Sequence, residues 1–133
     1  MSDTLHFDLV SPERRLFAGN VDQVVVPGAE GDFAVLPKHA PFMSVIRPGA
    51  ITVTEDGKDT RTFIRGGFAE VTPSGLTILA EEAIDLADVD AAKLAQDIID
   101  AGEDVSVAKD DAERETAQAA LDALTALQDA LNG

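Results

Sequence analysis

Apolar and polar positions alternate with a period of two at the start of this chain. Leu5, Phe7 and Leu9 alternate with His6, Asp8 and Val10, the pattern of a half-buried strand, and Ser11-Pro12 ends it. A β-branched run from Val21 to Val26 closes on Pro27-Gly28. A short apolar run from Phe33 to Leu36 closes on Pro37, and Phe42 to Ile46 ends at Pro48-Gly49. Residues 50–54 alternate again. Asp56-Gly57 then has the residue types of a tight hairpin turn, whose two central positions need positive φ. The returning strand is expected around Arg61 to Ile64. Another follows Gly66-Gly67 from Phe68 to Val71, and a last one follows Ser74-Gly75 from Leu76 to Ala80. Seven or more short strands, with no stretch long enough for a crossover helix, predict two packed antiparallel sheets. The Gly66-Gly67 pair predicts a bulge or a backbone approach that a Cβ would block.

Beyond Asp85 to Asp88 the period lengthens to three and four, so the chain is expected to divide into residues 1–85 and 86–133. Asp88 or Asp90 is a candidate cap for a first helix carrying Leu94, Ala95, Ile98 and Ile99, with Gly102 just past its end. Ser106 is a candidate cap for a second, whose stripe is Ala117, Leu121, Leu124, Gln128 and Leu131. The short join predicts an antiparallel hairpin. The packing face is thin: 13 of the last 48 residues are alanine, and no aromatic residue falls among them. Such a hairpin is expected to be marginal on its own.

Composition sharpens the division. All six phenylalanines lie in residues 1–85, as do all six prolines. That part carries 13 acidic and 7 basic side chains, net -6; the tail carries 12 and 3, net -9. The overall charge of -15 argues against a nucleic-acid binder and against adhesion to anionic lipid. It fits either simple solubility or a basic protein partner. The absence of cysteine excludes a disulfide scaffold and a thiol nucleophile. No apolar run is long enough to span a bilayer, and the start of the chain has neither the basic nor the apolar region of a signal peptide. The chain is therefore expected to stay in the compartment where it is made, and the lack of a basic, transit-like start favours a bacterium.

Catalytic candidates are few. His6 falls on the outward phase of its strand. His39, within Leu36-Pro37-Lys38-His39-Ala40-Pro41-Phe42, occupies a proline-bracketed turn and suits either a loop-stabilising hydrogen bond or a partner contact. Neither has metal-ligand spacing. Pro27-Gly28-Ala29-Glu30-Gly31-Asp32 lacks the Gly-Lys-Ser/Thr ending of a phosphate loop and reads as an acidic loop between strands. Glu81 and Glu82 are adjacent, so on a strand they would face opposite ways and share no site. Arg14, Arg15, Lys38, Arg47, Lys58, Arg61 and Arg65 are scattered, as in ordinary surface pairing.

The run Val26-Pro27-Gly28-Ala29-Glu30-Gly31-Asp32-Phe33-Ala34-Val35-Leu36-Pro37-Lys38-His39-Ala40-Pro41 resembles the signature of the epsilon subunit of F-type ATP synthases, called delta in mitochondria. Four further stretches match in order: residues 5–12, Ile46-Arg47-Pro48-Gly49, Gly66-Gly67-Phe68-Ala69-Glu70-Val71, and residues 76–83. The resemblance covers nearly all of residues 5–85, and the tail matches in kind.

The resemblance implies a mainly β fold with an α tail: a flattened ten-stranded β-sandwich followed by a two-helix hairpin. It implies a non-catalytic subunit of the central stalk that holds the gamma subunit to the membrane c-ring and transmits torque. Such a subunit sits peripherally on the cytoplasmic face of the bacterial inner membrane, with possible alpha/beta contacts through the tail. Glu30, Gly31 and Asp32 match the region that faces the c-ring; Lys38, His39, Ala40, Pro41 and Phe42 match the region near gamma and the ring. Some relatives bind ATP at the start of the hairpin through Ile/Leu-Asp-x-x-Arg-Ala. Here Ile84-Asp85-Leu86-Ala87-Asp88-Val89 puts Asp88 at the arginine position, so no cofactor is expected. In many bacterial relatives the hairpin extends along gamma and inhibits hydrolysis. An acidic tail predicts weak or absent inhibition instead. Two alternatives stand beside this reading: the same subunit with a strongly inhibitory tail, and a free-standing ligand-binding sandwich with a helical lid.

Overall fold

The computed structural model of the chain describes residues 4–132. It divides after Asp85 into two compact units. The first contains ten strands: β1 (Leu5–Val10), β2 (Arg15–Val21), β3 (Gln23–Gly28), β4 (Gly31–Val35), β5 (Phe42–Ile46), β6 (Gly49–Glu55), β7 (Lys58–Ile64), β8 (Gly67–Thr72), β9 (Gly75–Ala80) and β10 (Ala83–Asp85). One hydrogen-bonded path runs β10-β7-β6-β3-β5-β8-β9-β1-β2, and β4 pairs with β3.

The path becomes a sandwich because β3 changes partner. Over Gln23 to Val25 it pairs with β6, and at Gly28 it pairs with β5. Pro27, which has no N–H for a ladder, stands at the change; its carbonyl accepts from the Arg47 N–H at 3.0 Å. The inward phases of both layers then meet in one core. Phe7, Ile51, Ile64, Leu76, Ile78, Val24 and Val26 are all essentially inaccessible, and Phe17 packs on Phe7 with ring centroids 5.6 Å apart. The Asp56-Gly57 hairpin is as expected, with both residues at positive φ and Glu55 opposite Lys58.

The ten-stranded, mostly antiparallel sandwich is the expected one, with differences at particular strands. The sheet is not purely antiparallel, since β1 and β9 run parallel, with Phe7 opposite Leu76 and Val10 opposite Leu79. The Val21 to Val26 run is not one strand: it is broken at Asp22, with β2 before it and β3 after. Arg15–Val21 is a strand because it pairs along all of β1, from Leu5 opposite Val21 to Leu9 opposite Phe17. That long-range ladder overrides the loop-like Ala18-Gly19-Asn20. Likewise β10 exists only as a three-residue edge on β7.

The second unit opens with a short 3-10 helix at Leu86–Asp88, then α1 (Ala91–Ser106) and α2 (Asp111–Asn132), which pack against each other. Asp90 caps α1, accepting from the Ala92 and Lys93 amides at 3.0 and 3.1 Å. Gly102 is not a C-cap. The helix continues through it to Ser106, and Val107 closes it by donating to the Glu103 carbonyl. Ser106 is correspondingly not an N-cap: its hydroxyl bonds back to Glu103 O at 2.8 Å. Asp110 caps α2, accepting from the Glu113 amide at 2.7 Å. Asp110 followed three residues later by Glu113 was the legible start signal. The stripes shift with these ends. Leu94, Ala101 and Leu127 are the buried positions, whereas Ala95 and Ile99 are exposed and Gln128 is only half-buried.

Candidate functional site

In a strand, residues two apart share a face, so each core-facing phase leaves an opposite phase outside. On β5, β8, β9 and β1 that outer phase carries apolar side chains at one level. Val45 is opposite Phe68, Phe68 opposite Leu79, and Leu79 opposite Val10. Four strands about 4.8 Å apart make this a row roughly 14 Å across. Val45, Phe68 and Leu79 are 53%, 52% and 53% exposed, large values for apolar side chains on paired strands; Met43, two residues from Val45 on the same face, is 64% exposed. A pocket of about 460 Å³ opens beside Phe68 and Leu79, walled also by Val10, Ser11 and Pro12. The surrounding outer phase is polar: Asp8, Glu70 and Thr77.

Gly67 sets the level of the row. Its φ is +147°, and a Cβ there would run into the Leu79 carbonyl, so β8 and β9 meet at a distance only glycine permits. The expected close backbone approach at Gly66-Gly67 is thus found at Gly67.

At its β5 end the row meets an acidic turn. Gly28 is opposite Gly31, leaving Ala29 and Glu30 as a two-residue loop between β3 and β4. The Ala29 amide donates to the Val45 carbonyl at 2.8 Å, which ties this loop to the strand bearing the row. Gly28 is required here, since a Cβ would come within 2.6 Å of the Gly31 carbonyl. Glu30, Gly31 and Asp32 are all exposed. Asp32 accepts from Arg47 Nη2 at 2.6 Å, while Arg47 Nη1 donates to the Gly28 carbonyl at 2.7 Å.

The eight residues singled out in the sequence fall in two places. Glu30, Gly31 and Asp32 are at the start of β4. Lys38, His39, Ala40 and Pro41 follow its end, separated by a five-residue strand, or about 15 Å. Lys38 takes φ of +65°, and His39 keeps its hydrogen bonds inside the loop: its amide to Leu36 O at 3.2 Å and its Nδ1 to Ala40 O at 3.0 Å. Phe42 packs edge-on against Phe33 of β4, centroids 5.2 Å apart, with nearly half its surface exposed. The apolar row is not legible in the sequence. Its only sequence signal is an apolar residue on both phases of a strand, as in Phe68-Ala69 and Ile78-Leu79, and this also fits a strand buried on both faces.

Asp85 ends β10 and Asp88 ends the 3-10 helix, both exposed. The first basic residue beyond them, Lys93, is bonded to Asp97 at 3.1 Å. Neither of these carboxylates supplies the positive charge with which a nucleotide's phosphates pair. Among the described residues no group of three or more His, Cys, Asp or Glu side chains could hold a metal, and no helix is long and apolar enough to cross a membrane.

The comparisons with known proteins agree with this architecture. A family model, the beta-sandwich domain of the ATP synthase delta/epsilon chain, matches residues 4–86. The ATP synthase epsilon chain of Maricaulis maris is 73% identical over 128 residues, 96% of each chain. That of Caulobacter vibrioides is 62% identical over 84 residues, which are 96% of that relative and 62% of this chain, leaving it no room for a tail of this length. A chain of the Euglena gracilis mitochondrial ATP synthase, solved as OSCP/F1/c-ring, superposes with a TM-score of 0.87 at 26% identity, over 98% of this chain and 83% of that one. A family model over more than half the chain, with a relative this similar along nearly its whole length, shows that the chain belongs to the delta/epsilon chain family of ATP synthases, as one of its epsilon chains.

Proposed function

We propose that this central-stalk subunit works as a mechanical coupling piece, holding the gamma subunit on its apolar row and turning its acidic loop toward the c-ring. The observation that carries the reading is the in-register row Val45–Phe68–Leu79–Val10, with the Ala29–Glu30 turn fastened to its end. An outer sheet face this apolar is costly in water and favourable under a partner, at about 25 cal/mol for each Å² covered. The acidic turn suits polar or basic ring loops, where complementary charge sets register. Torque needs rigidity and contact area, which a ten-stranded sandwich supplies without a reactive group. Through these contacts the chain is held peripherally at the cytoplasmic face of a bacterial inner membrane.

Coexpression with gamma tests the reading. A stable one-to-one complex surviving size exclusion is the expected result, and two separately eluting proteins would leave a free-standing sandwich as the better account.

The tail enters this function weakly. Its twelve acidic residues are opposed by only three basic ones, a net charge of -9. Of these, Lys93 is paired with Asp97 and Arg114 with Asp111, each within its own helix. An acidic hairpin is repelled from acidic surfaces of the catalytic subunits, and the epsilon chain of Caulobacter vibrioides matches without a tail of this length. Truncation after Asp85 is expected to leave ATP hydrolysis by the assembled enzyme unchanged. A severalfold rise in hydrolysis would instead identify an inhibitory tail.

A further inference from the structure

Arg47 stands just past the end of β5, two residues from Val45 of the apolar row, and its side chain reaches across the base of the acidic hairpin. One guanidinium nitrogen donates to the Gly28 carbonyl on the β3 arm at 2.7 Å, and the other donates to Asp32 on the β4 arm at 2.6 Å. The Arg47 backbone amide adds a third hold, to Pro27 O at 3.0 Å. A planar fork with two fixed donors locks both arms in one orientation, which a single ammonium cannot do. The same contact neutralises Asp32, so the charge the turn presents outward is that of Glu30, which makes none of these bonds.

We propose that Arg47 is a positioning residue for docking: it fixes the attitude of the turn relative to the apolar row, so that the ring-side partner is met by Glu30 at a set height and angle. This rests on the reading above that the turn is a docking surface. As an exposed ion pair the Arg47–Asp32 contact stabilises the fold little; its value is orientation.

The positioning role and a simple charge role predict opposite signs. Removing Arg47 makes the turn more acidic, which by charge alone tightens binding to a basic or polar ring surface. Loss of positioning weakens it. The experiment measures binding of the full-length chain to ATP synthase depleted of its epsilon chain, in inverted membrane vesicles, at low and high salt. Arg47→Met and Arg47→Lys are both expected to weaken binding about fivefold or more while melting like the unmutated chain, the lysine failing because it keeps the charge and loses the fork. Glu30→Gln is expected to weaken binding similarly and to flatten its salt dependence. The double variant Glu30→Gln with Arg47→Met should be no weaker than Glu30→Gln alone, because Arg47 acts through Glu30. Tighter or unchanged binding by Arg47→Met, undiminished binding by Arg47→Lys, or additive losses in the double variant would each overturn the positioning role while leaving the docking surface intact. No effect of Glu30→Gln at either salt concentration would overturn the docking surface itself, and the proposal with it.

Discussion

Replacing Phe68 with glutamate is expected to leave the free chain folded and to abolish the association with gamma proposed above. The two halves of this result have separate causes. Phe68 is half exposed on the outer phase of β8, while its neighbours Ala69 and Val71 point into the core. A carboxylate at 68 is therefore solvated in the isolated chain, and the change in folding stability should stay within about 1 kcal/mol. Under a partner the same carboxylate would be buried against Val45 and Leu79 with no cation in the row to meet it. Stranding an unpaired charge in an apolar contact costs several kcal/mol, so affinity should fall by roughly a hundredfold or more. Titration of gamma against both proteins, with thermal melts of each alone, separates the effects. Retained affinity would mean that the row faces solvent in the assembled enzyme. A collapsed melting temperature would mean that Phe68 is a core residue after all.

Gly67→Ala is expected to be the most damaging single-methyl addition in the sandwich. At φ of +147° an alanine is strained wherever it stands, and here its Cβ would also strike the Leu79 carbonyl across the β8–β9 ladder. Relief requires the two strands to separate at the pair Gly67–Ala80, where core residues adjoin on both sides. The combined cost is about 3–5 kcal/mol, a large share of the 5–15 kcal/mol that holds a typical domain together. For a unit of this size it corresponds to a fall in melting temperature of roughly 15 °C or more. Gly66→Ala is the control. Its nearest neighbour would be the Glu81 carboxylate at 3.6 Å, an ordinary contact at the tip of a flexible side chain, so the loss should be about 1 kcal/mol or less. Equal melting temperatures for the two variants would show that the close approach at Gly67 does not constrain the β8–β9 ladder.

The legibility of this chain follows the range of the interactions involved. The strict alternation of Leu5, Phe7 and Leu9 announces a strand because one face is buried whatever its partner. The Asp56-Gly57 turn is readable because its φ values are a property of two residues. Asp90 is readable as a cap for the same local reason, and Asp110 with Glu113 carries an equally local signal. By contrast, β2 carries Ala18-Gly19-Asn20 and becomes a strand only through pairing with β1, and β10 needs the edge of β7. Gly102 looks like a helix terminator, yet hydrogen bonding on either side carries α1 four residues past it.

The acidic turn shows the same limit at the level of the site. Its sequence displays two carboxylates, Glu30 and Asp32, as equals. The fold makes them unequal, because Arg47, distant along the chain, arrives at Asp32 alone. Sequence similarly groups Glu30 and His39 in one continuous run, while β4 separates them at its two ends.

What the sequence by itself determined was the class of object: a phenylalanine-bearing β unit, an acidic alanine-rich helical tail, and a join near Asp85, each set by local periodicity and composition. Only the tertiary structure decided that Val45, Phe68, Leu79 and Val10 stand side by side. They come from four strands spread over seventy residues, and their alignment depends on ladder register, on the parallel β1–β9 pairing and on the approach at Gly67. Register is a relation between strands. No single segment carries it, and the apolar outer face it creates becomes visible only when the sheet is assembled.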